Sequence, residues 1–142
     1  MTRSDNEWRD MNEPVIEEFR ASGGRTSRRH PVILLTTTGV RSGRSHTTPL
    51  NFSEDGDRLV VIASKGGSAA HPDWYLNLLA NPEVTIEHAG DAFCARATVA
   101  QEPERTRLFD AQAAQMPFFD GYRRRVRARQ IPVVIIERLE PA

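Results

Sequence analysis

The sequence predicts one α+β domain built around an antiparallel, barrel-like sheet, and three observations predict it. Short runs of β-branched and apolar residues recur along the chain, among them VILLTTT, RLVVI, EVTI and PVVII. Tight-turn signals stand between several of them, EDGD at 54–57 and Ala89-Gly90-Asp91, and such turns join neighbouring strands as hairpins. The helical stretches are few and do not alternate with the strands as a doubly wound sheet would require. At 142 residues the chain has single-domain length and buries roughly two-thirds of its unfolded surface, so a real core is available.

Residues 1–11 read as a loose, solvated arm and residues 12–142 as the domain. Asn12 caps a short helix through Arg20, with Pro14 in its first turn and Ser22-Gly23-Gly24 closing it; Val15, Ile16 and Phe19 share one stripe. GGRTSRRH is a polar linker. Residues 31–38 form a first strand, and GVRSGRS (39–45) is a turn-rich loop. HTTPLNFS (46–53) is a second strand, which Pro49 pushes toward an edge or a bulge because proline cannot donate to a ladder. RLVVIAS (58–64) is a third. A helix follows over 71–80: Pro72 suits its start, Trp74/Leu78 and Tyr75/Leu79 have helical spacing, and Asn81-Pro82 stops it. Segments 83–88 and 93–100 pair as a hairpin. Segment 103–116 is helical, as is the arginine-rich stretch after PFFDGY, and IPVVIIERL (131–139) is a last strand, giving about six strands in all.

Several function classes are excluded. A formal net charge of zero argues against nucleic acid as the main partner. No apolar run reaches membrane-spanning length, and MTRSDNEWRDMNE has no apolar h-region, so no signal peptide is expected. Cys94 is the single cysteine; it can form no intramolecular disulfide, which fits a reducing cytoplasm, and its strand position reads as a buried small hydrophobe. GVRSGRS lacks the spacing, the lysine and the following helix of a phosphate-binding Walker loop. The four histidines, His30, His46, His71 and His88, form no i, i+4 pair and have no cysteine at ligand spacing, so no metal site is expected. Ser64, His71 and Asp73 lack the nucleophile-elbow pattern of a triad.

What remains is a set of three segments suited to one anion-and-ring site. Arg41, Arg44 and His46 surround a Gly/Ser turn, which suits phosphate and equally suits a solvated hairpin tip. Ser64-Lys65-Gly66-Gly67 holds the only lysine among 19 basic residues. A compact ammonium beside glycines can meet a ligand where the backbone approaches closely, and it can also be a plain surface turn. Residues 71–77 open a helix, whose N-terminus favours anions; Trp74 there covers a ring or fills the core.

The ordered run LLTTTGVRSGRSHTTPLNF, DGDRLVVIASKGG, HPDWYLNLLANPEV and QIPVVIIERL resembles the deazaflavin-dependent nitroreductases and F420H2-dependent quinone reductases, over roughly residues 12–139. The resemblance implies a split β-barrel related to FMN-binding proteins, and an oxidoreductase that passes a hydride from reduced coenzyme F420 to a quinone, nitroaromatic or other electron-poor acceptor. It places the coenzyme's phosphate and tail on Val40, Arg41, Ser42 and on His46, Thr47, Thr48, Pro49, Leu50 and Asn51. It lays the ring along Ile62, Ala63, Ser64, Lys65 and Gly66, with Asp73, Trp74, Tyr75, Leu76 and Asn77 closing the other side. Phe119 and Tyr122 would meet the acceptor, and Ser64 and Tyr122 would be the catalytic side chains. Because a deazaflavin carries the hydride chemistry, no acid–base dyad is required of the protein.

Three departures bear on the acceptor more than on the coenzyme. Asn51 stands where many relatives carry an aromatic, His46 where arginine is usual, and Phe118, Phe119 and Tyr122 where quinone-reducing members place tyrosines. The run RRRVRAR (123–129) reads as a solvated helix; recruitment to an anionic membrane surface and contact with the coenzyme's tail are the other readings. The cofactor alternative is FMN on the same barrel, and the non-enzymatic alternative is an F420 carrier with a pocket closed by Phe118 and Phe119. The partner expected is a small-molecule acceptor, and the location cytoplasmic, with peripheral membrane association as a variant.

Overall fold

The computed structural model describes residues 5–68, 70–126 and 129–139. In chain order these form helix α1 (Asp5–Ala21), strands β1 (Val32–Thr38), β2 (Ser45–Asn51), β3 (Ser53–Asp55) and β4 (Arg58–Ile62), and a 3-10 turn (Lys65–Gly67). Helix α2 (Asp73–Ala80), strands β5 (Glu83–His88) and β6 (Asp91–Val99), helices α3 (Glu104–Gln115) and α4 (Phe118–Arg125) and strand β7 (Val133–Arg138) complete the series. The strands form one sheet in the order β2-β1-β5-β6-β7-β4-β3, with every neighbouring pair antiparallel. The sheet curls into the half-barrel of the split-barrel type.

The near-continuous apolar runs of β4 and β7 follow from burial on both faces. On one face Leu59 and Val61 join Val134, Ile136, Ile33, Leu35, Val84 and Ile86 around Trp74, Tyr75 and Leu78 of α2. On the other, Val60, Ile62, Val133 and Ile135 pack against Leu108, Phe109, Met116 and Phe119 of the α3–α4 region. Each fully buried side chain of this size contributes about 1.5–3 kcal/mol. A smaller cluster joins Val32 and Leu34 of β1 to Val15, Ile16 and Phe19 of α1. Arg20, at the end of that helix, forks onto Glu87 of β5 at 3.1 and 2.9 Å. Pro49 lies on β2, an edge strand, opposite Leu34.

The structure differs from expectation at three places. Helix α1 begins at Asp5 rather than at an Asn12 cap, so residues 5–11 are helical and not a loose arm. Glu7, Arg9, Met11 and Glu13 have good helix propensity, which carries the helix through Pro14 despite the backbone bond that proline removes. The expected strand at 46–53 is two strands: buried Phe52 interrupts the ladder, β2 pairs with β1, and β3 turns over to pair with β4. The sheet therefore has seven strands. Cys94 is exposed, not buried. The period of a strand is two, and in β6 Ala95 and Ala97 take the buried phase while Cys94, Arg96 and Thr98 face out.

Candidate active site

Strand β2 and the loops that follow β1 and β4, together with α2, α4 and the middle of α1, surround one cleft of about 1280 Å³. The β1–β2 loop is a tight, internally bonded turn. Gly39 N–H donates to Arg44 O at 2.8 Å and Gly43 N–H to Gly39 O at 3.0 Å. A Cβ on Gly39 would stand 2.7 Å from Ser42 Oγ and 2.8 Å from His46 Nε2, so any larger residue there would have to displace those two side chains. The loop is fastened to α2 through Asn77, whose Oδ1 accepts from Val40 N–H (3.2 Å) and whose Nδ2 donates to Thr37 Oγ1 (3.1 Å). Thr36 and Thr47 share a hydroxyl–hydroxyl bond of 2.8 Å across β1 and β2.

The second wall is the loop after β4. Lys65, Gly66 and Gly67 all have positive φ, at 48°, 62° and 82°, and only glycine adopts that region without cost. Lys65 is thus a side chain held in a conformation its own backbone disfavours. A Cβ on Gly67 would meet Tyr122 Cδ1 at 3.3 Å, so this loop packs directly against α4. The third wall is aromatic: the rings of Phe118, Phe119 and Tyr122 lie 4.6, 5.6 and 5.8 Å from one another.

Of the residues expected at the site, Val40, Arg41, Ser42, His46 to Asn51, Ile62, Ser64, Lys65, Gly66, Asp73, Trp74, Leu76, Asn77, Phe119 and Tyr122 line this one cleft. Two do not. Ala63 is fully buried behind the wall. Tyr75 points into the core, its ring 4.8 Å from His71 and 6.4 Å from Trp74, and burial pushes its phenol pKa up. The family resemblance placed Tyr75 among the residues closing the ring site, but the core takes that face of α2. Arg44 also lies outside the lining.

The cleft carries four basic side chains, Arg9, Arg28, Arg41 and Lys65, against two carboxylates, Glu13 and Asp73. It also gathers apolar surface: Met11, Val40, Leu76, Leu79 and Phe118, the exposed large hydrophobics of the described residues, all line it. Among the described residues no group of three or more His, Cys, Asp or Glu side chains is placed to hold a metal. No described helix is long and apolar enough to cross a membrane.

This combination suits an elongated ligand with an anionic part and a flat apolar part, in a cleft larger than the roughly 300–1,000 Å³ of ordinary small-molecule pockets. A profile of the F420H(2)-dependent quinone reductases matches residues 8–138. The chain belongs to that family. The F420H(2)-dependent quinone reductase of Mycobacterium tuberculosis strain H37Rv is 35% identical over 127 residues, which cover 84% of this chain and 85% of that protein. A solved F420-H2 dependent reductase, FDR-A, superposes with a TM-score of 0.69 at 33% identity, over 75% of this chain and 94% of its own. A second solved chain, described as a domain-swapped dimer, reaches 0.72 at 32% identity and covers 94% of this chain and all of its own.

In this member of the F420H(2)-dependent quinone reductase family, sequence reasoning missed two parts of the cleft. One is the α1 contribution, Arg9, Met11, Asn12, Glu13 and Ile16; Arg9 and Met11 fell in residues read as an arm, and Asn12, Glu13 and Ile16 in a helix given no part in the site. The other is Arg28, in a linker with no pattern of its own. The arginine run divides. Arg123 pairs with Asp110 at 2.8 Å and with Asp120, and Arg125 lies over the Tyr122 ring at 5.4 Å. Positions 127 and 128 lie outside the described residues, and Arg129 turns inward.

Proposed function

We propose that this chain holds reduced coenzyme F420 along the cleft and directs its hydride to a quinone-type acceptor. The observation that carries the reading is the joint composition of one cleft: a cationic excess and all the exposed large hydrophobics of the described residues, in a member of the F420H(2)-dependent quinone reductases. When bound, the deazaflavin supplies the hydride, and the protein supplies binding, orientation and electrostatics. Arg41 and the backbone of the 39–43 turn take the anionic tail, with Arg9 and Arg28 at its rim. Lys65 and Ser64 address the polar edge of the ring. Phe119 and Tyr122 wall the acceptor's position, and the hydroxyls of Ser64 and Tyr122 are the groups placed to hold or pass a proton.

Family membership favours the deazaflavin over FMN, and an enzyme over a carrier. Ser64, Phe118 and Phe119 all line the same cleft of about 1280 Å³, which leaves room for a ligand beside those rings. The apolar rim of Met11, Leu76 and Leu79 favours a hydrophobic quinone over a small polar nitroaromatic. The same rim beside Arg9 and Arg28 supports peripheral contact with an anionic membrane surface, for a protein that otherwise works in the cytoplasm. A fluorescence titration of the protein with F420, with FMN in parallel and salt varied, tests the cofactor. Tight binding of F420 that weakens with salt, and little binding of FMN, is expected, since exposed charges are screened beyond about 10 Å at 0.1 M salt. Preference for FMN, or no binding of either, overturns the reading. Turnover of menadione but not of nitroaromatics by the loaded enzyme then fixes the acceptor class.

A further inference from the structure

Arg129 differs from the arginines before it. Its Nη1 donates to Ala63 O (3.1 Å) and to His71 Nδ1 (3.0 Å). Its Nη2 donates to Ser64 O (2.9 Å) and Ser68 O (3.0 Å), and its Nε also donates to Ser68 O (3.2 Å). All three guanidinium nitrogens are engaged, and the partners are three backbone carbonyls and an imidazole rather than a carboxylate. Because a guanidinium only donates, His71 must present a bare Nδ1 and carry its proton on Nε2. Burial and the neighbouring Arg129 charge both hold the His71 pKa below its usual value, in keeping with that neutral form.

The three carbonyls belong to the loop after β4, and they bracket its positive-φ segment. A trans peptide sets C=O and N–H on opposite edges. The peptides whose carbonyls face Arg129 therefore direct the N–H groups of Ser64 and Lys65 away from it. Ser64 and Lys65 line the cleft and Arg129 does not. The anchor is itself anchored: Arg105, buried in α3, donates twice to Ile131 O at 3.0 and 2.8 Å, holding the segment that carries Arg129 against the barrel. Gly66 and Gly67 take positive φ freely, but Lys65 does not, and a non-glycine residue held there persists only when its surroundings over-determine it; the guanidinium on the flanking carbonyls is placed to supply that restraint.

We propose that Arg129 is the positioning residue of the Ser64–Ser68 loop, fixing its carbonyls from behind so that its N–H groups and Lys65 face the bound ring. This rests on the coenzyme reading above. It assigns Arg129 to neither the coenzyme's tail nor a membrane, because its donors are already engaged inside the protein.

The test compares wild type with Arg129→Lys and Arg129→Ala by hydrogen exchange without coenzyme, by thermal melts and by F420 titration. Lysine keeps the charge but cannot span three carbonyls from one nitrogen. Faster exchange confined to Gly67 and Ser68, whose N–H groups donate to Ser64 O and Lys65 O, is expected in both variants. A rise of about tenfold or more in the F420 Kd should accompany it, the size expected for losing charged hydrogen bonds. Free guanidinium ion at sub-denaturing concentration should partly rescue Arg129→Ala but not Arg129→Lys. Unchanged exchange in the loop overturns the proposal. So does a lower melting temperature with F420 affinity within about twofold of wild type, which marks a purely structural arginine. Exchange is read without coenzyme, so failure of wild type to bind F420 sinks the coenzyme reading alone and leaves the loop measurement decisive for Arg129.

Discussion

Lys65 shows how a single residue can be placed against its own preference. At φ 48° a lysine is strained where glycine would not be, by about 1–3 kcal/mol, yet the two following positions are glycines and this one is not. The sequence hinted at this through composition, since arginine fills every other basic position. It could not show the backbone conformation, which arises from contacts with α4 and Arg129 far along the chain. Lys65→Ala should weaken F420 binding by about 1–3 kcal/mol, the loss of a charged hydrogen bond. Lys65→Gly should lose the same affinity while relieving the strain. If both variants bind F420 as wild type does, titration will have removed the ammonium from the site and returned Lys65 to a plain surface turn. Cys94 makes the opposite point. Its outward phase was legible from Arg96 and Thr98, which share its face, and reading the residue type ahead of its neighbours led to the wrong side.

At the scale of elements, Asn77 joins three pieces: β1 through Thr37, the β1–β2 loop through Val40, and α2, on which it sits. It is buried, as is Thr37. Asn77→Ala should therefore cost about 1–3 kcal/mol of stability for the polar groups left without partners, seen as a lower urea midpoint, and should weaken F420 binding as the loop loosens. A variant as stable as wild type would show that the amide does not hold the wall. The strands were legible because burial on both faces writes unbroken apolar runs into β4 and β7, and the edge position of β2 was legible from Pro49. The start of α1 was not, because Pro14 with Asn12 before it imitates a helix N-terminus. The division of β2 from β3 was hidden as well, because the break falls at an apolar residue, Phe52, with no turn signal.

For the whole molecule, the sheet order β2-β1-β5-β6-β7-β4-β3 could not be read from local pattern, since pairing β4 with β7 and β1 with β5 depends on contacts between distant segments. The lining of the cleft was legible as segments and not as a surface, because only the fold brings α1 and residues 39–42 to the same opening. That opening also holds every exposed large hydrophobic side chain of the described residues, and contiguous apolar surface of this kind is where proteins adhere to one another. The empty enzyme should consequently be the colloidally sticky form, and cofactor should act as its solubiliser. Static light scattering at rising protein concentration should give a more positive second virial coefficient once F420 is added. An unchanged coefficient would show that self-attraction lies elsewhere on the surface.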